Sequence, residues 1–175
     1  MTIFQQIELI ATWLECIIGV KMVSGIIVKK IKRPKGVYLF ALLIASIAYG
    51  INQIQLLSLV SSLTGVLGIA LGVRIFYKAK AKDCLAGSVS YIILIYIIDF
   101  LTMSVCATVL GDEQFGMYIT QGYSIWRFFY IMLTKLILLG VYIFVSKKFV
   151  KGPYLINRNV WISIMILGIV VHYFG

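Results

Sequence analysis

The chain has 175 residues, of which 62% are hydrophobic and 13% are charged. A soluble domain of this size has too little interior to bury so much apolar side chain, so these values exclude an ordinary soluble globular fold. The net charge is +10, but the lysines cluster in short segments between apolar runs. This clustering indicates topology signals and contacts with anionic lipid headgroups, and no nucleic acid.

Six apolar runs are long enough, or nearly so, to cross a bilayer, which takes about 20 helical residues. We predict an all-α, multi-pass membrane bundle that forms one domain over residues 1–175. The predicted helices are Ile3–Val28, Val37–Gln55, Leu56–Tyr77, Cys84–Leu110, Ile125–Ser146 and Val160–Gly175. The second and third follow each other with almost no connection, which predicts a tight helical hairpin that turns near Gln53.

The connections between these runs alternate in charge. The first, third and fifth are basic, at residues 29–35, 78–82 and 147–158, whereas the fourth carries Asp112 and Glu113. Basic loops stay in the cytoplasm, so the N-terminus is expected outside. The last run ends without a basic anchor, and we expect the sequence to be part of a longer chain. The alternative is a short protein with an external C-terminus.

Charged residues inside the apolar runs are the best pointer to function. Glu8 and Glu15 share a face of the first helix, Asp99 lies in the fourth, and Arg127 and Lys135 lie in the fifth. Such charges are costly in lipid and face a bundle interior, where they find partners. Matched depths predict the pairs Glu15–Lys135 and Glu8–Arg127, with Asp99 able to exchange between the two cations. The network either fixes helix orientation or rearranges when a ligand binds.

Small residues at four-residue spacing allow close helix contact. In the second run these are alanines, and in the third they are Ser61, Gly65, Gly68 and Gly72. Packing within the hairpin is the favoured interpretation, and homodimerisation is the alternative.

The fourth connection is the longest external segment and is rich in aromatic residues: Phe115, Tyr118, Tyr123 and then Trp126. Aromatic residues of this kind form an interfacial belt in many membrane proteins. They could also line a mouth that receives an amphipathic or apolar ligand from outside. No metal-binding spacing, phosphate-binding loop or nucleophile–base set is visible in the sequence, so we predict no catalytic residue, metal or cofactor here.

The order of these features resembles the membrane sensor region of accessory-gene-regulator-type, GHKL-type peptide-sensing histidine kinases of Firmicutes. The resemblance is carried by the segment from Ala11 to Glu15 and by the lysine-rich first loop. It continues with Asp99-Phe100, with Leu133-Thr134-Lys135-Leu136, with the basic exit at Ser146-Lys147-Lys148-Phe149, and with Trp161 at the start of a further apolar helix. The phosphoacceptor histidine and the ATP-binding boxes of that family are absent from this sequence.

The resemblance implies a multi-pass protein of the bacterial cell membrane that acts in a two-component, quorum-sensing system. It further implies an extracellular peptide signal, a homodimer, and control of autophosphorylation in a cytoplasmic kinase domain. The alternative is the substrate-binding membrane subunit of an energy-coupling-factor vitamin transporter, which has six helices and a similar length, or a stand-alone small membrane protein.

Overall fold

The computed structural model describes residues 2–27, 36–53, 58–110, 119 and 124–149. Within these ranges the chain is helical, with no strand. The five helices are α1 (Ile3–Ile27), α2 (Gly36–Asn52), α3 (Ser58–Tyr77), α4 (Ala81–Leu110) and α5 (Ile125–Phe149). Each lies within a few residues of one of the first five predicted helices. The sixth predicted helix, Val160–Gly175, lies outside the described residues.

Four of these helices are long and apolar enough to cross a membrane, namely α1, α3, α4 and α5. The helix α2 has 17 residues and is shorter. Apolar side chains cover much of the outer surface of the bundle, including Leu71 and Phe144. An all-helical bundle with such a surface is suited to lipid rather than to water, and the fold is that of a helical membrane protein.

Local sequence signals set several of the helix ends. At the start of α1, Thr2 and Gln5 form a capping box: Thr2 N donates to Gln5 Oε1 at 2.8 Å, and Gln5 N donates to Thr2 Oγ1 at 3.4 Å. Ser124 caps α5 by accepting from Arg127 N at 3.2 Å. Lys78 has a φ of 52° immediately after α3, so a left-handed residue turns the chain into α4 within three residues.

The helix α1 is central to the bundle. Among the described residues it contacts all four other helices, and the remaining contacts run in the order α2–α3, α3–α4 and α4–α5. The four outer helices therefore form an arc around α1. The helices α2 and α5 are the two ends of this arc, and they have no contact with each other within the described ranges.

The predicted hairpin of α2 and α3 is held by its small residues. Ala41, Ala45 and Ala48 of α2 are buried. A Cβ added at Gly68 of α3 would overlap the side chain of Ile44, and Ser61 Oγ donates to the carbonyl of Ala48 at 3.0 Å. The small-residue faces are therefore used inside this chain, as the favoured interpretation of the sequence expected.

Candidate functional site

Two ion pairs connect α1 to α5. Arg127 Nη2 lies 2.6 Å from Glu8 Oε1, and Lys135 Nζ donates to Glu15 Oε1. These are the two pairs that matched depth predicts. The acid nearer the start of α1 pairs with the cation nearer the start of α5, and the later acid pairs with the later cation. The helices α1 and α5 therefore run parallel. Their spacing also agrees, because seven residues separate the acids and eight separate the cations, or about 10 and 12 Å of helix.

The four paired side chains are largely shielded. Their exposed fractions are 14% for Glu8, 29% for Arg127, 22% for Glu15 and 19% for Lys135. Four charges within apolar helices would be costly if each stood alone, since removing a charge from water costs several kcal/mol. Pairing offsets much of that cost. It also fixes α5 against α1 at two depths, so the helix cannot slide or rotate without breaking a pair.

Asp99 is the third acid of this region and belongs to neither pair. It is half-buried on α4. Its backbone carbonyl accepts a hydrogen bond from Tyr130 Oη of α5 at 3.0 Å. Because Tyr130 stands between Arg127 and Lys135 in the sequence, this bond places Asp99 at a level between the two cations. The predicted exchange of Asp99 between them stays a prediction.

Two tyrosine hydroxyls bind main-chain carbonyls in this region, and neither tyrosine was predicted from the sequence as a site residue. Tyr130 binds the Asp99 carbonyl, and Tyr91 of α4 donates to the Glu15 carbonyl at 2.7 Å. Tyr91 is buried. A tyrosine that binds a main-chain carbonyl leaves no spacing signal, since every residue offers that acceptor.

A sequence signal for Tyr91 does exist on the opposite helix. Gly19 lies one helical turn after Glu15 on the same face of α1, and a Cβ built there would stand 2.6 Å from Tyr91 Cε1. The missing side chain lets the Tyr91 ring cross α1 and reach the Glu15 carbonyl. Gly19 is therefore a packing site that positions the residue whose carboxylate holds Lys135.

Most of the predicted ligand mouth lies outside the described residues. This applies to Phe115, Tyr118 and Tyr123. Trp126 is described, in the first turn of α5, with 45% of its surface exposed. It lies next to Arg127 in the sequence, so the described part of the predicted mouth is adjacent to the Glu8–Arg127 pair.

Comparison with known proteins gave no match: no family model, no curated protein and no solved structure matches this chain.

Proposed function

We propose that this chain is the membrane-embedded sensor domain of a two-component histidine kinase that receives an extracellular peptide and controls a cytoplasmic kinase domain. In this proposal six helices cross the bacterial cell membrane, the N-terminus is outside, and the receptor works as a homodimer. The resemblance described above suggests this class of receptor. The observation that supports it best is the position of Asp99, outside both ion pairs and level between their two cations.

The arrangement offers two discrete packings. In one, Arg127 and Lys135 bind the two acids of α1, as observed. In the other, Asp99 takes one of these cations, so that α5 is held to α4 in place of α1. A ligand can shift such an equilibrium only by its difference in affinity for the two packings. Trp126 precedes Arg127 directly, so a peptide that binds at the predicted external mouth would act next to the Glu8–Arg127 pair.

The transporter alternative is less well supported. A vitamin-binding subunit would dock on its ATPase module through exposed small-residue helix faces. In the described part of the chain, Gly65, Gly68 and Gly72 are buried, and Gly68 and Gly72 face side chains of α2. The reading frame that follows Gly175 discriminates the two. A continuing frame with a phosphoacceptor histidine and ATP-binding motifs supports the receptor, whereas a stop codon favours the alternatives.

The functional test replaces Asp99 by Asn in the full-length receptor and measures autophosphorylation in nanodiscs. Asn keeps the shape and removes the charge that competes for the cations. We expect the basal rate to change by about fivefold or more, the scale of a typical allosteric coupling. Asp83→Asn is the matched control, because Asp83 is an exposed carboxylate in the first turn of the same helix. Equal rates in wild type and Asp99→Asn would make the network purely structural.

Orientation is tested separately by single cysteines at Lys32 and Glu113, in a background in which the three native cysteines are alanine. An impermeant thiol reagent applied to intact cells should label position 113 and spare position 32, because basic loops resist translocation. The reverse pattern, or equal labelling, contradicts an external N-terminus.

A further inference from the structure

A cavity of about 260 Å³ opens at the end of the bundle opposite Trp126. It lies where α1 and α3 end, where α2 begins, and near the last turns of α5. The residues with polar groups that line it are Lys21, Ser24, Tyr38, Tyr77, Tyr142 and Ser146. The basic segments 29–35, 78–82 and 147–151 join these same helix ends in the sequence.

Among the described residues, the lining of this cavity is rich in hydrogen-bond donors and includes no carboxylate. Lys21 Nζ lies 5.4 Å from the centre of the Tyr38 ring, in the range of a cation–π contact. Within the described part of the chain, Lys21 forms no ion pair, and the hydroxyls of Tyr77 and Tyr142 have no hydrogen-bond partner. A cation and two unengaged hydroxyls together favour an anion.

The two serines of the lining differ from the tyrosines. Ser24 Oγ donates to the Lys21 carbonyl at 3.2 Å, and Ser146 Oγ donates to the Ile143 carbonyl at 2.9 Å. Their hydroxyl protons are therefore used within their own helices. The donors that remain for a ligand are the Lys21 ammonium and the tyrosine hydroxyls.

The position of Lys21 explains why a ligand would reach it from the side. Lys21 stands six residues before the end of α1, which is about 9 Å along the helix axis. It is exposed, and within the described ranges the helices α2 and α5 on either side of α1 do not touch each other. Among the described helices, the cavity thus lies between the two ends of the arc, on the side from which a lipid of the adjacent leaflet would approach.

We propose that this cavity is a binding site for a phosphate-bearing anion, held by Lys21 together with the Tyr77 and Tyr142 hydroxyls. Its volume is below the ~300–1,000 Å³ of pockets for drug-sized ligands, which suits a phosphate with a small attached group. A phospholipid headgroup and a soluble phosphate ester share this chemistry. The neighbouring basic segments would raise the local concentration of either. This site does not depend on the proposed sensor function.

The test measures binding to the full chain in neutral detergent by native mass spectrometry. Phosphatidylglycerol is the lipid probe, and diacylglycerol, which has the acyl chains without the phosphate, is its control. Glycerol phosphate is the soluble probe. The variants are Lys21→Met, the double variant Tyr77→Phe/Tyr142→Phe, and Lys82→Met. Lys82 is an exposed lysine at the same end of the bundle and lies outside the cavity.

We expect Lys21→Met to weaken phosphatidylglycerol binding by about tenfold or more, as for the loss of a charge-assisted hydrogen bond. Lys82→Met should cost no more than about fivefold, as for one basic residue near an anionic surface. The double tyrosine variant keeps every charge and should still weaken binding. Lys21-dependent binding of glycerol phosphate as tight as that of phosphatidylglycerol would identify a soluble ligand as the source, because the acyl chains would then contribute nothing.

Three results would overturn the site. They are equal losses in Lys21→Met and Lys82→Met, unchanged binding in the double tyrosine variant, and diacylglycerol binding as strong as that of phosphatidylglycerol. If the Lys21→Met protein does not fold, the double tyrosine variant still tests the site, because it alters neither charge nor backbone.

Discussion

The interface of α1 with α5 and the hairpin of α2 with α3 each hold two apolar helices together, but by different interactions. Lipid surrounds both, so helices gain little from apolar burial alone and must associate by close packing or by polar contacts. The hairpin uses glycine and alanine to bring two backbones together. The interface of α1 with α5 uses two ion pairs between otherwise apolar helices.

The difference determines which region can have a second state. Packed small residues have one good arrangement, because any shift opens voids or creates overlaps. Ion pairs can exchange partners if another charge of the right sign is near, and Asp99 supplies that charge beside α5. The hairpin is therefore suited to be the fixed part of the bundle, and the packing of α1, α4 and α5 is suited to be the movable part.

The largest effect is expected from Lys135→Met. This change leaves the Glu15 carboxylate buried without its cation, and breaking a buried pair in this way costs about 3–5 kcal/mol. We expect the low end, since about a fifth of each side chain stays exposed (19% and 22%). The free energy of unfolding in mixed detergent micelles measures this loss.

The double variant Glu15→Leu/Lys135→Met is the control for that experiment. It removes both charges, so no carboxylate is left unpaired, and it should recover much of the lost stability. A double variant no more stable than Lys135→Met alone would mean that Glu15 and Lys135 do not stabilise each other.

Charge and periodicity predicted much of this architecture. Five helices and both ion pairs follow from apolar runs and from charges at equal depth, because an unpaired charge in lipid is too costly to leave alone. The role of Tyr130 could not be predicted, since its acceptor is a main-chain carbonyl, and Tyr91 has only the indirect signal of Gly19 on α1. The lack of contact between α2 and α5 in the described ranges was also not predicted, because periodicity identifies which face of a helix is apolar and does not say which helices meet.

An intermediate loss in the free energy of unfolding is expected from Gly68→Ala in the hairpin. A Cβ there would lie 3.1 Å from Ile44 Cβ and would overlap its Cγ2 methyl. These atoms are close to the backbone and cannot swing away, so Gly68→Ala should push α2 and α3 apart and cost about 1–3 kcal/mol.

Gly140→Ala is the matched control for the hairpin. It makes the same change in the middle of α5, where nothing lies within 4 Å of the added Cβ. Its helix propensity should improve, so a neutral or slightly stabilising effect is expected. Similar losses in the two variants would show that close contact in the hairpin does not set its stability.

The smallest effect is expected from removing single tyrosine hydroxyls. Tyr91→Phe and Tyr130→Phe each delete one interhelical hydrogen bond to a main-chain carbonyl. Interhelical hydrogen bonds in membranes are worth about 0.6 kcal/mol on average. A carbonyl oxygen has two lone pairs, so each of these carbonyls can still accept the hydrogen bond of its own helix when the tyrosine hydroxyl is removed. We therefore expect losses of about 0.6 kcal/mol in the free energy of unfolding.

Tyr96→Phe supplies the comparison for these tyrosines. The Tyr96 hydroxyl lies 2.6 Å from Ser62 Oγ on α3, and both groups are exposed. Serine in a helix can return its hydroxyl to a carbonyl of the preceding turn, so Tyr96→Phe should cost less than Tyr91→Phe. In the proposed receptor, Tyr130→Phe should also alter basal autophosphorylation, because Tyr130 ties α5 to Asp99, whereas Tyr96→Phe should not. An equal kinase response in these two variants would contradict the assignment of the movable part to the packing of α1, α4 and α5.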